Sequence, residues 1–488
     1  MKKKVLSVVL SVAMIATMLT ACSSDTTKTE TTTETTEAAT ETATEETAEA
    51  PATEEAPATE EAAAEGGVIN LYSFTDEIPK MVDKYLETHP DFGYTVNTTI
   101  IPTTDGAYQP ALDTALAAGG ESAPDIYAAE GAFVLKYTQG DAAQFAAAYE
   151  DLGIDVAKEV ADAQIAQYTV DIGTRPSDGK LVGLGYQATG GAFIYRRSIA
   201  IDAFGTDDPA TIADVIGAGS NSWDKFFEAA ETLKSKGYAI VSGDGDMWHA
   251  VENSSDKGWI IDDALNIDPK REAFMDLSKK LKDNGYHNDT QDWTEAWFAD
   301  MADAQADGAK KVFGFFGPAW LINYTIGQNC GGTSVGEGTY GDWAVCAPPI
   351  GFFWGGTWVL ANANSTKKEA VGKIIDWITL DCTTDGLQYA WANGTLYGEG
   401  GTKDTVASGT VMSMSDGALD FLGGQNMFDV FVPANQYANG TNLTQYDETI
   451  NGYWRDQVRE YTAGNKDKDT AIADFKTTVS ENLDLAID

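Results

Sequence analysis

From Val68 onward, short apolar runs alternate with amphipathic stretches of helical period, and this alternation restricts the available folds more than any other feature. "VINLY" is followed by a loop over 73–77 and then by "IPKMVDKYLETHP", where Ile78, Met81, Val82 and Tyr85 share one helical face. "YTVNTTIIP" reads as a second strand, "YQPALDTALAAGG" as a helix with a glycine stop at Gly119, and "APDIYAA" as a third strand. Elements in this order predict an α/β fold, a mostly parallel sheet covered by helices. Such sheets gather ligands at the carboxyl ends of their strands, here the loops 73–77 and 128–133.

The pattern then repeats. "LVGLGYQATGGAFIYRRSIA" reads as two extended segments joined through Gly190 and Gly191. "SWDKFFEAAETLKSKGY" predicts a helix capped by Ser222, followed by a strand over Tyr238–Ser242. "DPKREAFMDLSKKLKDNGY" and "DWTEAWFADMADAQADGAKK" predict helices, "VFGFF" a strand that ends at Gly317-Pro318, and "APPIGFFWGGTWVLANAN" an extended stretch with a Gly-Gly break. "KKEAVGKIIDWITL" and "IADFKTTVSENLDLAI" are helical. No short-period repeat is present, and the whole reads as two α/β lobes with glycine-marked strands passing between them.

The N-terminus is of another kind. Lys2, Lys3 and Lys4 precede an apolar run from Val5 to Leu19, which has signal-peptide length and is too short to span a bilayer. Leu19-Thr20-Ala21-Cys22 resembles a bacterial lipobox. That resemblance implies cleavage after residue 21 and acylation of Cys22, so that lipid chains hold the protein at the outer face of the cell membrane. Residues 22–66 form a Thr/Glu/Ala-rich linker whose thirteen acids face only Lys28. Such a segment cannot bury enough apolar area to offset its ordering entropy and is expected to stay disordered.

Of the formal charge of −43, about −34 falls on residues 67–488. A polyanion of this strength repels nucleic acid and anionic lipid heads and disfavours an anionic ligand. Cys330 and Cys346 flank a Gly-rich stretch and, outside the cell, are open to forming one disulfide. The cysteines lack metal-ligand spacing, and His89, His249 and His287 are far apart in sequence. No metal or other cofactor is expected.

The lipobox and linker, "APDIYAAEGAF", "SWDKFFEAAETLKSKGY", "VFGFFGPAWLINY" and "APPIGFFWGGTWVLANANSTKKEAVGKIIDWI" together resemble the bacterial extracellular solute-binding proteins of ABC importers, in the carbohydrate-binding group that includes the maltose-binding protein. The resemblance implies a two-lobed periplasmic-binding-protein-like fold with a three-segment hinge. It also implies a cleft that closes on a neutral mono- or oligosaccharide, delivery to membrane permease subunits, a monomer, and no catalysis. It sets the first lobe at 67–187 and 353–392 and the second at 188–352 and 393–488. Residues 187–191 and 350–351 are then crossover strands.

A pyranose offers apolar C–H faces and a rim of hydroxyls. Indole and phenol rings match the faces, and carboxylates and amides match the hydroxyls. Trp320 follows Gly317-Pro318 at a strand end, Trp354 precedes Gly355-Gly356, and Trp358 and Trp248 are the other aromatic candidates. Asp76, Glu77 and Glu130 lie after strands, Gln187 lies on a crossover, and Asp244 and Asp246 lie beside Trp248. Calcium is a rival reading for Asp244 and Asp246, although their spacing lacks the full ligand set of an EF-hand loop. Trp223, Trp293, Trp297 and Trp377 sit within or beside amphipathic helices and are expected in the core. A binding protein for peptide or another solute, a glycan-holding adhesin and a glycoside hydrolase, which needs two opposed carboxylates, are the other functional readings.

Overall fold

Strand β1 (Val68–Ser73) pairs in parallel with β2 (Thr95–Ile100) and with β3 (Ile126–Glu130) in a computed structural model that describes residues 66–103, 106–398, 400–483 and 485–486. Cys22, the leader and nearly all of the linker lie outside the described residues. Two further strands complete the first sheet and a third begins the second: β4 (Gly183–Gly185), β8 (Thr357–Ala361) and β5 (Ala192–Arg196) respectively. The first sheet has the order β2-β1-β3-β8-β4, with β8 antiparallel to both neighbours. Helix α1 (Glu77–Thr88) returns the chain between β1 and β2, and α2 (Tyr108–Ala118) between β2 and β3.

Both faces of this sheet are covered, and the period of two sorts its side chains. Ile69, Leu71, Ala128, Val359 and Ala361 face one core, which takes Ile78, Met81 and Val82 from α1 and Val371, Ile374, Ile375 and Ile378 from the helix Lys368–Thr379. Tyr127, Ala129, Trp358 and Leu360 face the other, with Tyr108, Leu112 and Leu116 of α2. The expected stripe of Ile78, Met81, Val82 and Tyr85 is buried.

The second sheet is β6 (Gly314–Gly317), β5 and β7 (Trp343–Cys346) in that order, and every pairing in it is antiparallel. The expectation of a mostly parallel sheet therefore holds at β1-β2-β3 and not here. The segment read as a strand over Tyr238–Ser242 makes only one parallel bridge, Ala239 to Val312. It stops because the Asp246 carboxylate takes the Ser242 and Gly243 N–H groups, each at 3.0 Å, and turns the chain into helix α3 (Gly245–Ser254). The helix expected from "DWTEAWFADMADAQADGAKK" spans only Glu295–Met301. Asp303 beyond it adopts φ +56° and is held by Arg196 at 2.8 Å and Lys311 at 2.8 Å.

The disulfide does not form: Cys330 and Cys346 are both free and buried. Cys346 packs with Phe193 and Ala344 on one side of the second sheet, whereas Cys330 packs with Trp343 and Val345 on the other. The sheet itself stands between the two thiols.

Between the sheets several extended segments run side by side. Gly190 bridges Phe353, Gln187 bridges Val406, and the Thr405 hydroxyl donates to the Ala188 carbonyl at 2.6 Å. Gly191 is required here, because a Cβ would stand 2.1 Å from the Phe352 ring. Beyond Ala392 the chain does not leave the first sheet at once: Ser408 donates to Ala163 and Thr410 to Asp162, at 2.8 and 2.7 Å. Helix α4 (Asp447–Thr462) packs on the helices Pro269–Asn284 and Lys468–Asn482, over a core with Trp259, Trp454 and Phe475.

Candidate functional site

Strand direction decides which loops meet. β1 and β3 end together at Ser73 and Glu130, and the antiparallel β8 begins at that edge, with Thr357 opposite Glu130. In the second sheet Gly317 ends β6 opposite Ala192, the first residue of β5, and Cys346 ends β7 opposite Phe193. The bridges at Gly190 and Phe353 join these edges. The loop after β1, Glu130, the turn into Trp320, and the loop 350–356 thus belong to one region.

Trp354 is the centre of this region. Its ring stacks on His249 of α3, with centroids 3.6 Å apart and planes at 15°. Trp320 meets it edge-on at 4.8 Å and donates its Nε1 hydrogen to the Trp354 carbonyl at 3.0 Å. Trp293 stands 6.0 Å from Trp354 and lies nearly parallel to Trp320, at 6.3 Å and 12°. Trp293 is 55% exposed and held at φ +65°, a left-handed conformation that a bulky residue rarely adopts. Its expected place in the core is therefore wrong, whereas Trp223, Trp297 and Trp377 are buried as expected.

Glu130 closes the other side. Its Oε2 accepts the Ala132 N–H at 2.8 Å. A Cβ on Gly355 would lie 3.2 Å from Glu130 Oε1 and 3.5 Å from the Trp320 ring, so the glycine, at φ +69°, keeps open a gap between carboxylate and indole. Burial pushes the Glu130 carboxyl up to about 7, against the lowering effect of the Ala132 N–H. Glu448 of α4 adds negative charge nearby and accepts from Gln109 of α2 at 3.3 Å.

A charged network lies beneath the rings. Arg455 of α4 grips Asp292 with two hydrogen bonds, 3.0 and 2.9 Å, and approaches Asp244 at 3.7 Å. Burial favours the neutral Asp292 carboxyl, but hydrogen bonding to His249 and to Arg455, with the Arg455 charge, holds it well below the usual carboxylate range. His249 Nε2 sits 3.5 Å from Asp292, and burial lowers the imidazole pKa. The guanidinium is thereby taken up by protein carboxylates, and the ring cluster rests on a fixed base.

The other candidates divide clearly. Glu77 starts α1, and its Oε2 accepts the Tyr324 hydroxyl. Burial pushes its carboxyl up to about 7. Asp76 is exposed and pairs with Lys80 at 2.5 Å. Asp244 accepts from Ser278 at 2.6 Å and faces Arg455 below the rings. Asp246 is 3% exposed and takes the Trp297 indole N–H as well as two backbone N–H groups, a structural role that leaves no ligand-facing oxygen. Both carboxylates are thus engaged by protein groups, and no group of three or more His, Cys, Asp or Glu placed to hold a metal ion occurs among the described residues.

Trp248 is 1% exposed against Phe274, and Trp358 is 1% exposed with its N–H on the Thr169 carbonyl. Both are core residues, because each lies on a face that another layer covers. Gln187 is buried and donates to Asp404 at 3.0 Å on the crossover. The structure thus gathers Trp320, Trp354, Glu130 and Glu77 at the sheet edges and withdraws Trp248, Trp358 and Asp246. Trp293, expected in the core, joins the region, as do Tyr324 and His249, none of which was a ligand-binding candidate. For Trp293 and Tyr324 the available signal was an aromatic ring beside polar neighbours and outside the apolar stripe.

A family described as bacterial extracellular solute-binding protein matches residues 73–381. No curated protein matches the chain. Solved structures share its fold. The galacto-N-biose/lacto-N-biose I-binding protein of the ABC transporter from Bifidobacterium longum is 17% identical, with a TM-score of 0.63 over 86% of this chain and 98% of that one. The sugar-binding protein MalE from Xanthomonas citri is 15% identical, with a TM-score of 0.63 over 85% and 96%. The GacH receptor of Streptomyces glaucescens is 15% identical, with a TM-score of 0.59 over 84% and 96%. The family match covers well over half of the chain, and the two-sheet α/β architecture agrees with it: the chain belongs to the bacterial extracellular solute-binding protein family.

Proposed function

We propose that the protein is the substrate-binding lipoprotein of an ABC importer. It captures a neutral mono- or oligosaccharide between two lobes and hands it, unchanged, to membrane permease subunits. The lobes are built on the two sheets, and the side-by-side segments near residues 187–191, 350–354 and 404–406 serve as the hinge. Acylation of Cys22 holds the protein at the outer face of the membrane, and the acidic linker gives it reach. No described helix is long and apolar enough to cross a membrane. The protein acts as a monomer.

The observation that carries this reading is the meeting of three indoles, Trp293, Trp320 and Trp354, with the Glu130 carboxylate at the facing sheet edges. Indole faces cover the apolar faces of a sugar ring, and carboxylates accept its hydroxyls in charge-assisted hydrogen bonds. Among the cations near the site, Arg455 is committed to Asp292 and Lys80 to Asp76, which disfavours acidic sugars. Contacts made with both lobes favour the closed arrangement. A thermal-shift screen against saccharides should raise the melting temperature for the cognate ligand. Trp320→Ala or Trp354→Ala should then weaken binding by on the order of 1–3 kcal/mol in calorimetry, as truncation of aromatic anchors does. Unchanged affinity in both variants rejects the site, and release of reducing sugar would favour a hydrolase.

A further inference from the structure

We propose that residues 435–446 form a strap that holds the two halves of the molecule closed without touching a ligand, and so sets how much of the protein is closed before a solute arrives. The proposal rests on the two-lobed reading and not on the nature of the solute. The strap starts and ends on the side of the second sheet. The helix Phe428–Ala434 before it packs on β5, and α4 after it packs on the helices Pro269–Asn284 and Lys468–Asn482. Its first residues lie on the crossovers. Asn435 Oδ1 accepts the Gly190 N–H at 2.9 Å, and Tyr437 covers Gly351, where a Cβ would stand 2.2 Å from the ring.

Past the crossovers the chain reaches over to the first half. Residues 438–446 contain no helix or strand, yet Ala438 and Leu443 pack into the core that holds Tyr168, Ile172 and Phe353. Gly440 is buried against the helix Gln167–Gly173, where a Cβ would stand 2.6 Å from Ile172 and 3.0 Å from the Tyr168 carbonyl. Gln445 Oε1 accepts the Asp141 N–H at 3.1 Å. Asn442 ties the same stretch back to the second half by donating to the Asp256 carbonyl at 3.1 Å. Loops ordinarily run over the surface of the elements they connect, whereas this one joins two halves. Its grip on the first half is an apolar tip, a glycine seat and one hydrogen bond. Halves that part about the crossovers would keep the contacts at Gly190 and Gly351 and peel these others away. Contacts so few bias an equilibrium rather than lock it. Where only the closed form completes a site, affinity scales with the fraction already closed.

Hydrogen exchange and small-angle scattering on the full chain, with no solute added, test the strap. Gln445→Ala removes the hydrogen bond at a half-buried side chain. Gly440→Ala, at a backbone that is not left-handed, wedges the strap off Ile172 by one methyl group. Both variants should keep the far-ultraviolet dichroism of the wild type. In each, the Asp141 amide should exchange about tenfold faster, the scale of one lost hydrogen bond. The facing segments 289–293 and 350–356 should exchange faster with it, and the radius of gyration should increase. Faster exchange confined to residues 138–142, with unchanged scattering, would make the strap a local tie and overturns the proposal. So does exchange like the wild type in both variants. A failed strap leaves the saccharide reading standing, and a failed saccharide screen leaves the strap standing.

Discussion

Asp292 illustrates how much of this site depends on residues that no ligand touches. Its carboxylate and Arg455 are both largely withdrawn from water and satisfy each other through two short hydrogen bonds. Removing one partner of such a pair strands the other charge. Asp292→Ala should destabilise the protein by about 3–5 kcal/mol in urea unfolding, and should loosen the base on which His249 and Trp354 stack. A loss under 1 kcal/mol would mean that Arg455 finds water or another acid. Residue type and glycine context made Trp320, Trp354 and Glu130 legible in the sequence. They did not reveal which side of a strand or helix a ring occupies. Trp358 lies one position from Val359 on β8, and because both faces of that strand are covered, either register buries it. Trp293 was misassigned to the core because its exposure comes from a left-handed backbone that propensity does not foresee.

At the scale of elements, helices with strong caps stand where the sequence sets them. The helix Pro269–Asn284 begins at Asp268, which is 1% exposed and accepts from Lys270 N at 2.8 Å and Lys257 N at 3.0 Å. Proline in the first turn and glycine at the end complete the pattern. Asp268→Ala should cost about 1–2 kcal/mol in chemical denaturation, while Asp208→Ala, at an exposed cap, should cost less. The elements that sequence patterning misjudged were those decided by distant contacts. The strand expected over Tyr238–Ser242 is cut short by the Asp246 carboxylate, and the long helix expected from Asp292 onward gives way before Asp303, which ion pairs to Arg196 and Lys311 hold. The pairing sense of β5, β6 and β7 depends on how the chain returns between halves, which local periodicity does not encode.

For the molecule as a whole, the buried carboxyls set the response to pH. Burial pushes Glu77, Glu130, Glu252, Asp376 and Asp404 up to about 7 and Asp246 up to about 8. Between the ordinary carboxylate range and these values the folded protein holds protons that the unfolded chain has released. Stability therefore falls as pH rises through that window. The melting temperature should be several degrees higher at pH 5 than at pH 8, and self-repulsion of the polyanion acts in the same direction. Below about pH 4 Asp292, whose carboxyl lies under its ordinary range, reverses the trend. Calorimetric scans at fixed ionic strength would check this, and a higher melting temperature at pH 8 would contradict it. The two-half plan was legible because alternating strands and helices with glycine-marked crossovers admit few topologies. The extent of each half was less so, since 405–412 still packs against Asp162 and Ala163.

The thiols have a practical corollary. With Cys330 and Cys346 sealed on opposite sides of a sheet, folding of this part of the chain calls for no oxidant. A version beginning near Gly67 can be produced in a reducing cytosol. Cys382, the half-exposed thiol among the described residues, is then the natural point for attaching a single dye, with no other cysteine to remove.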